Sequence, residues 1–200
     1  MSETREHLPA PELIKSILHD FKGITYRQDE SAKSFICHYD LERIWTEERV
    51  RGLLSAGDPG NLPSDLLQVI QQKMFTILSV LVTIGAFSCQ INFLARLFTP
   101  DRYPRFTDKD LPLRELEEID FLDGWDAFKE QFFYMQHKFR PVEIRLGAQQ
   151  NHEIDPSRRL PFKTIIPCLG SGAFGDVELI GIPGQYFIKE DGAQFPGVSI

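Results

Sequence analysis

Apolar residues recur at helical spacing over the first two thirds of the chain and then give way to short β-type runs. Pro11 opens a first helix, Leu13, Ile14, Ile17, Leu18 and Phe21 share one face, and Gly23 ends it near Phe21. Residues 1–9 read as a loose tail, Gly23–Lys33 as a polar loop, and His19 as a surface or capping residue. Ser34–Ala56 is a second helical region with two apolar clusters, Leu41/Ile44/Trp45 and Val50/Leu53/Leu54. The phase slips between them, which predicts a break near Thr46, with Thr46 capping the second piece.

Residues 57–61, Gly-Asp-Pro-Gly-Asn, form a breaker. Ser64 or Asp65 is then placed to cap a long helix from about Leu66 to Gly85, followed by a shorter helix over Ile91–Phe98. Thr99–Pro112 is rich in Pro, Asp and Arg and reads as an irregular connection. Asp120 or Asp123 is expected to cap a helix to about His137, whose stripe Trp125, Phe128, Phe132 and Met135 is a core face. Arg140–Leu160 is a polar connector with a turn at 155–159. Beyond it, Val177–Ile180 and Gln185–Lys189 read as strands on either side of turn chemistry at Gly181–Gly184.

The pattern therefore predicts an α+β chain. A mainly α-helical domain covers 1–140, a connector 141–159, and a small antiparallel β-meander 160–200.

Composition narrows the functional classes. Over 200 residues, 42% are apolar and sixteen are phenylalanine, enough for a packed core; the charged fraction of 26% is too low for global disorder. The net charge of −7 argues against a general nucleic-acid or anionic-membrane surface. Met74–Cys89 is the most apolar run, but its sixteen residues fall short of the about twenty that cross a bilayer, so it reads as a buried core helix. Cys37, Cys89 and Cys168 are scattered, without C-x-x-C, and read as reduced structural thiols. With a polar start and no secretory signal, the expected location is cytoplasmic, or intracellular with the nucleus included. Asp101, Asp108 and Asp110 alternate with Arg102, Arg105 and Lys109, a solvated loop rather than a metal site.

The chemistry-bearing stretch is Gly170-Ser171-Gly172-Ala173-Phe174-Gly175-Asp176-Val177, followed by Lys189. It is not a P-loop, because Gly175 is not followed by Lys-Ser/Thr. It does not suit a dinucleotide-binding loop, which must open into a helix; Gly181, Pro183 and Gly184 disfavour one there.

Strand, glycine loop, strand, turn, and strand with lysine is the order of a protein-kinase small lobe, which Leu160–Glu190 resembles. The segments from Leu66 to Lys189 are similar in order to fungal kinase-like proteins with a helical region ahead of the lobe. The resemblance implies ATP as ligand, bound by Gly170, Ser171, Gly172, Ala173, Phe174, Gly175, Val177 and Lys189. It implies backbone amides near the phosphates, Phe174 at the loop tip and Lys189 reaching back as a point charge.

Two departures weaken the chemistry. Phe187 stands where the family has a small alanine. By strand alternation it shares the nucleotide face with Lys189, so ATP affinity is expected to be weak or lost. No His-Arg-Asp or Asp-Phe-Gly string occurs before Ile200. The expectation is a lobe cut short of its catalytic residues, a pseudokinase-like chain that holds no catalytic base and does not bind Mg by itself. The alternative is a helical protein-interaction module, binding a protein partner, with a vestigial lobe.

Overall fold

The computed structural model describes residues 10–27, 34–55, 66–88, 106–145, 156–162, 164–172 and 175–188. The tail 1–9, the breaker 57–61, the caps Ser64 and Asp65, the helix 91–98, and Asp101, Arg102 and Arg105 lie outside them.

Helix α1, Ala10–Gly23, buries Leu13, Ile14, Ile17 and Phe21 on one face. Strands β1, Tyr26–Arg27, and β2, Ser34–Phe35, pair antiparallel within the stretch expected as loop. Helix α2, His38–Ile44, and helix α3, Glu47–Ser55, are separated at Trp45-Thr46. Thr46 caps the second piece as predicted: its hydroxyl accepts from Arg49 N at 3.4 Å. Arg49 ties α3 back to α1 through Asp20 at 2.6 Å and Ser16 at 3.3 Å.

The single long helix expected over 66–85 is two: α4, Leu66–Lys73, and α5, Phe75–Thr83. Met74 between them leaves the helical region, with φ −135° and ψ 18°. The cause is Asp108. Its carboxylate accepts from Thr76 N at 2.9 Å and Ile77 N at 3.0 Å, and its own N–H donates to Lys73 O at 2.6 Å. A helix start leaves several N–H groups without intrahelical acceptors, and Asp108 supplies acceptors for two of them from thirty-odd residues downstream. Asp108 is thus buried and structural, not part of a solvated loop; Asp110 remains exposed.

Helix α5 is the centre of the molecule, with every residue from Phe75 to Val82 buried. Against it packs α6, Asp126–Phe139. The cap expected of Asp120 or Asp123 is not formed. Asp120 instead opens a short 3-10 turn, Asp120–Leu122, Asp123 ends that turn and accepts Lys129 Nζ at 2.8 Å, and Trp125 is the N-cap of α6 without a side-chain hydrogen bond. The aromatic stripe of α6 does face the core: Phe132 is buried and Trp125, Phe128 and Met135 pack against it. Gln136, fully buried, satisfies both the N–H and the C=O of Leu113, at 2.8 and 3.0 Å.

Strand β3, Ile144–Arg145, follows α6 inside the expected connector. Strands β4, Thr164–Gly172, and β5, Gly175–Gly181, form an antiparallel hairpin. Gly184–Tyr186 is a 3-10 turn, not the start of a strand, and only Phe187–Ile188 is extended, as β6. Among the described residues β6 pairs in parallel with β3 (Ile144↔Phe187, Arg145↔Ile188) and not with β5. Helices with a few short strands are consistent with the α+β class; of the expected antiparallel meander only the β4–β5 hairpin is seen among the described residues, and β6 does not extend it. No helix among the described residues is long and apolar enough to cross a membrane.

Candidate functional site: the glycine hairpin

The residue pattern accounts for the hairpin. β4 and β5 keep one register from Thr164↔Gly181 to Ile166↔Leu179, then shift before Gly170↔Val177. Pro167 stands at the shift; it has no N–H for the ladder, and proline inside a strand is tolerated at bulges. After the bulge, Ser171 pairs with Asp176 and Gly172 with Gly175, so the ladder runs up to the loop. The Gly172↔Gly175 pair is the last rung of the described ladder. Gly170 is exposed, and a Cβ built on it meets nothing within 4 Å. Its backbone is open to a ligand rather than packed.

The structure brings together Gly170, Ser171, Gly172, Gly175 and Val177 at one end of this hairpin. Ala173, Phe174 and Lys189 lie outside the described residues. Phe187, one residue before Ile188 in β6, is half-buried. A strand rather than a helix follows the loop, which removes the geometry of a dinucleotide-binding turn. Among the described residues no cluster of three His, Cys, Asp or Glu side chains is arranged to hold a metal ion.

A second, small apolar cluster joins the β1–β2 pair to the segment before β6. Phe35, Cys37 and Tyr186 are buried together, with Tyr26 and Ile182 against them. Tyr26 stacks on Phe35 at 5.3 Å, and Tyr186 meets Phe35 edge-on at 6.3 Å. Burial raises the Tyr26 phenol to about 12, with the Asp40 charge adding to it; Tyr26 Oη donates to Asp40 Oδ2 at 3.3 Å. Burial also raises Tyr186, and the nearby Cys37 thiol adds to the shift. No local pattern signals this contact, because it joins residues far apart in the chain.

No protein-family model, curated protein or solved structure matches the chain.

Proposed function

We propose that residues 164–189 constitute a nucleotide-phosphate-binding hairpin of protein-kinase type, carried on a helical unit, and that this chain binds ATP weakly without transferring its phosphate. The observation that supports this reading is the Gly172–Gly175 pair at the end of an antiparallel hairpin, with Gly170 open and a strand after the loop. Exposed glycine amides can approach phosphate oxygens closely, and Lys189, the next residue in the sequence after β6, is the cation this reading assigns to the phosphates. Transfer needs a positioned base and metal ligands as well, and the sequence from Met1 to Ile200 holds neither the His-Arg-Asp nor the Asp-Phe-Gly string.

Calorimetric titration of the chain with Mg-ATP tests it. Weak, saturable binding that disappears in Lys189→Met and in Gly172→Val supports the reading. Equal binding in all three chains places the nucleotide elsewhere. Labelled phosphate transferred above the Lys189→Met level would refute the non-catalytic part.

A second reading has its own observation. The main core draws on residues from Leu13 to Phe139 and on no described residue beyond them, while Tyr39 and Tyr134 stand 60% and 65% exposed on α2 and α6. In this reading the helices are a protein-interaction module and the hairpin is vestigial. Deletion of residues 160–200 separates the two: a protein partner bound by the helices survives it.

A further inference from the structure

We propose that the cavity between the C-terminal end of α1 and helix α2 is a binding site for a free aliphatic α-amino acid, separate from the glycine hairpin. The cavity measures about 410 Å³, and residues of both elements line it, among them Asp20, Gly23, Ile24, Asp40, Arg43 and Ile44. Ligand pockets span about 300–1,000 Å³, so this one is sized for a small molecule and not for a chain segment.

Its wall carries both signs of charge at short range. Asp40 and Arg43 stand three residues apart on α2, which makes them neighbours on one helix face. Their charges also reach a common atom. Tyr26 Oη donates to Asp40 Oδ2 at 3.3 Å. Burial raises the Tyr26 phenol, Asp40 adds to the rise, and Arg43 opposes it. Among the described residues Asp40 and Arg43 form no ion pair with each other. The second carboxylate, Asp20, is held by Arg49 at 2.6 Å, so Asp40 is the carboxylate whose hydrogen-bond partner is neutral.

These groups match the three parts of an α-amino acid. Helix α1 ends at Gly23, and the partial negative charge of a helix C-terminus adds to Asp40 in favouring an ammonium group. The planar fork of Arg43 suits a carboxylate. Ile44 is buried and Ile24 half-buried, and together they offer an apolar surface to a hydrocarbon side chain. An α-amino acid carries ammonium, carboxylate and side chain on one carbon, so it can meet neighbouring charges of opposite sign at once. A ligand with only an anionic group would face two aspartates, and one with only a cationic group would face Arg43.

The test is an NMR titration of the isotope-labelled full chain with leucine, valine and methionine. The expected result is saturable movement of the Ile24 and Ile44 amide signals. Leucine binding is expected to weaken at least tenfold in Arg43→Gln and in Asp40→Asn and to stay unchanged in Lys189→Met. Isoamylamine, which is leucine without the carboxylate, and isocaproate, which is leucine without the ammonium, are each expected to bind at least tenfold more weakly than leucine. Asp40→Asn keeps an acceptor for Tyr26, and Arg43 is exposed, so both variants are expected to fold; tryptophan emission checks it. No saturable binding of any of the three amino acids by the wild-type chain overturns the site. Undiminished binding by the Asp40→Asn/Arg43→Gln double variant overturns it as well, and isoamylamine or isocaproate binding as tightly as leucine overturns the zwitterion. Leucine binding lost in Lys189→Met but kept in Arg43→Gln assigns the ligand to the hairpin and overturns the cavity.

Discussion

Trp45 donates its indole N–H to Ser79 Oγ at 2.8 Å, joining the α2–α3 break to the middle of α5, and both residues are buried. Ser79 in turn donates to Phe75 O at 2.6 Å. The hydroxyl serves both sides: it answers the one polar atom of Trp45 and gives its own proton to a helix carbonyl. Ser79→Ala leaves the indole N–H buried without an acceptor, at a cost of about 1–3 kcal/mol. Urea unfolding measures it, and Trp45→Phe combined with Ser79→Ala is expected to recover part of the loss relative to the sum of the single changes.

The cap supplied by Asp108 makes a pH prediction. Burial raises its pKa from the ordinary 3.8, against the Thr76 and Ile77 N–H groups and the charge of His38, which lower it. The folded state therefore holds the Asp108 proton more tightly than the unfolded state. Stability from this group falls as pH rises from about the ordinary carboxylate value through the raised folded one. Asp108→Asn abolishes that titration, so the stability of wild type minus variant is expected to decrease across the window in urea melts from acid to neutral pH. Asp108→Ala also strands two N–H groups of α5 and is expected to cost about 1–3 kcal/mol at any pH.

Gly52 marks the close approach of α3 to α1. A Cβ there would lie 2.9 Å from Leu13 Cδ2, which is buried. Alanine improves helix propensity by up to about 1 kcal/mol, and the Leu13 methyl must move to admit it, so Gly52→Ala is expected to be near neutral. Gly52→Val adds branches that Leu13 cannot avoid and is expected to cost about 1–3 kcal/mol, read as a lowered melting temperature.

On the nucleotide-binding proposal, Phe187 in β6 is the residue expected to limit ATP affinity. Phe187→Ala removes the ring that the sequence pattern of alternating faces expects beside Lys189 and, on that proposal, is expected to tighten Mg-ATP binding about tenfold or more over wild type. Calorimetry checks this; unchanged affinity would separate Phe187 from the nucleotide.

Local rules carried far in the helical part. The face of α1, the break at Thr46 and its cap, and the core stripe of α6 followed from spacing and side-chain type, because each is decided within a few residues. The failures share a different cause. The break at Met74 is imposed by Asp108, and no pattern within 66–85 announces it. The start of α6 passed from the carboxylates of Asp120 and Asp123 to Trp125, because a 3-10 turn uses those positions first. β3 is too short to show a period, and its partner β6 lies forty-odd residues on. A strand on either side of the glycine loop was legible, while the expected hairpin of Val177–Ile180 with Gln185–Lys189 does not form, because β5 pairs with β4 and β6 pairs with the distant β3.

The pairings of Val142 with Arg159 and of β3 with β6 give the hairpin a common point of departure and return. The chain leaves the helical body beside residue 142 and comes back beside residue 144. Such an excursion behaves as an exchangeable arm. Doubling its length adds only about 0.6 kcal/mol of closure entropy, so β4 and β5 can be lengthened, shortened or replaced while the anchor and the helices stay in register.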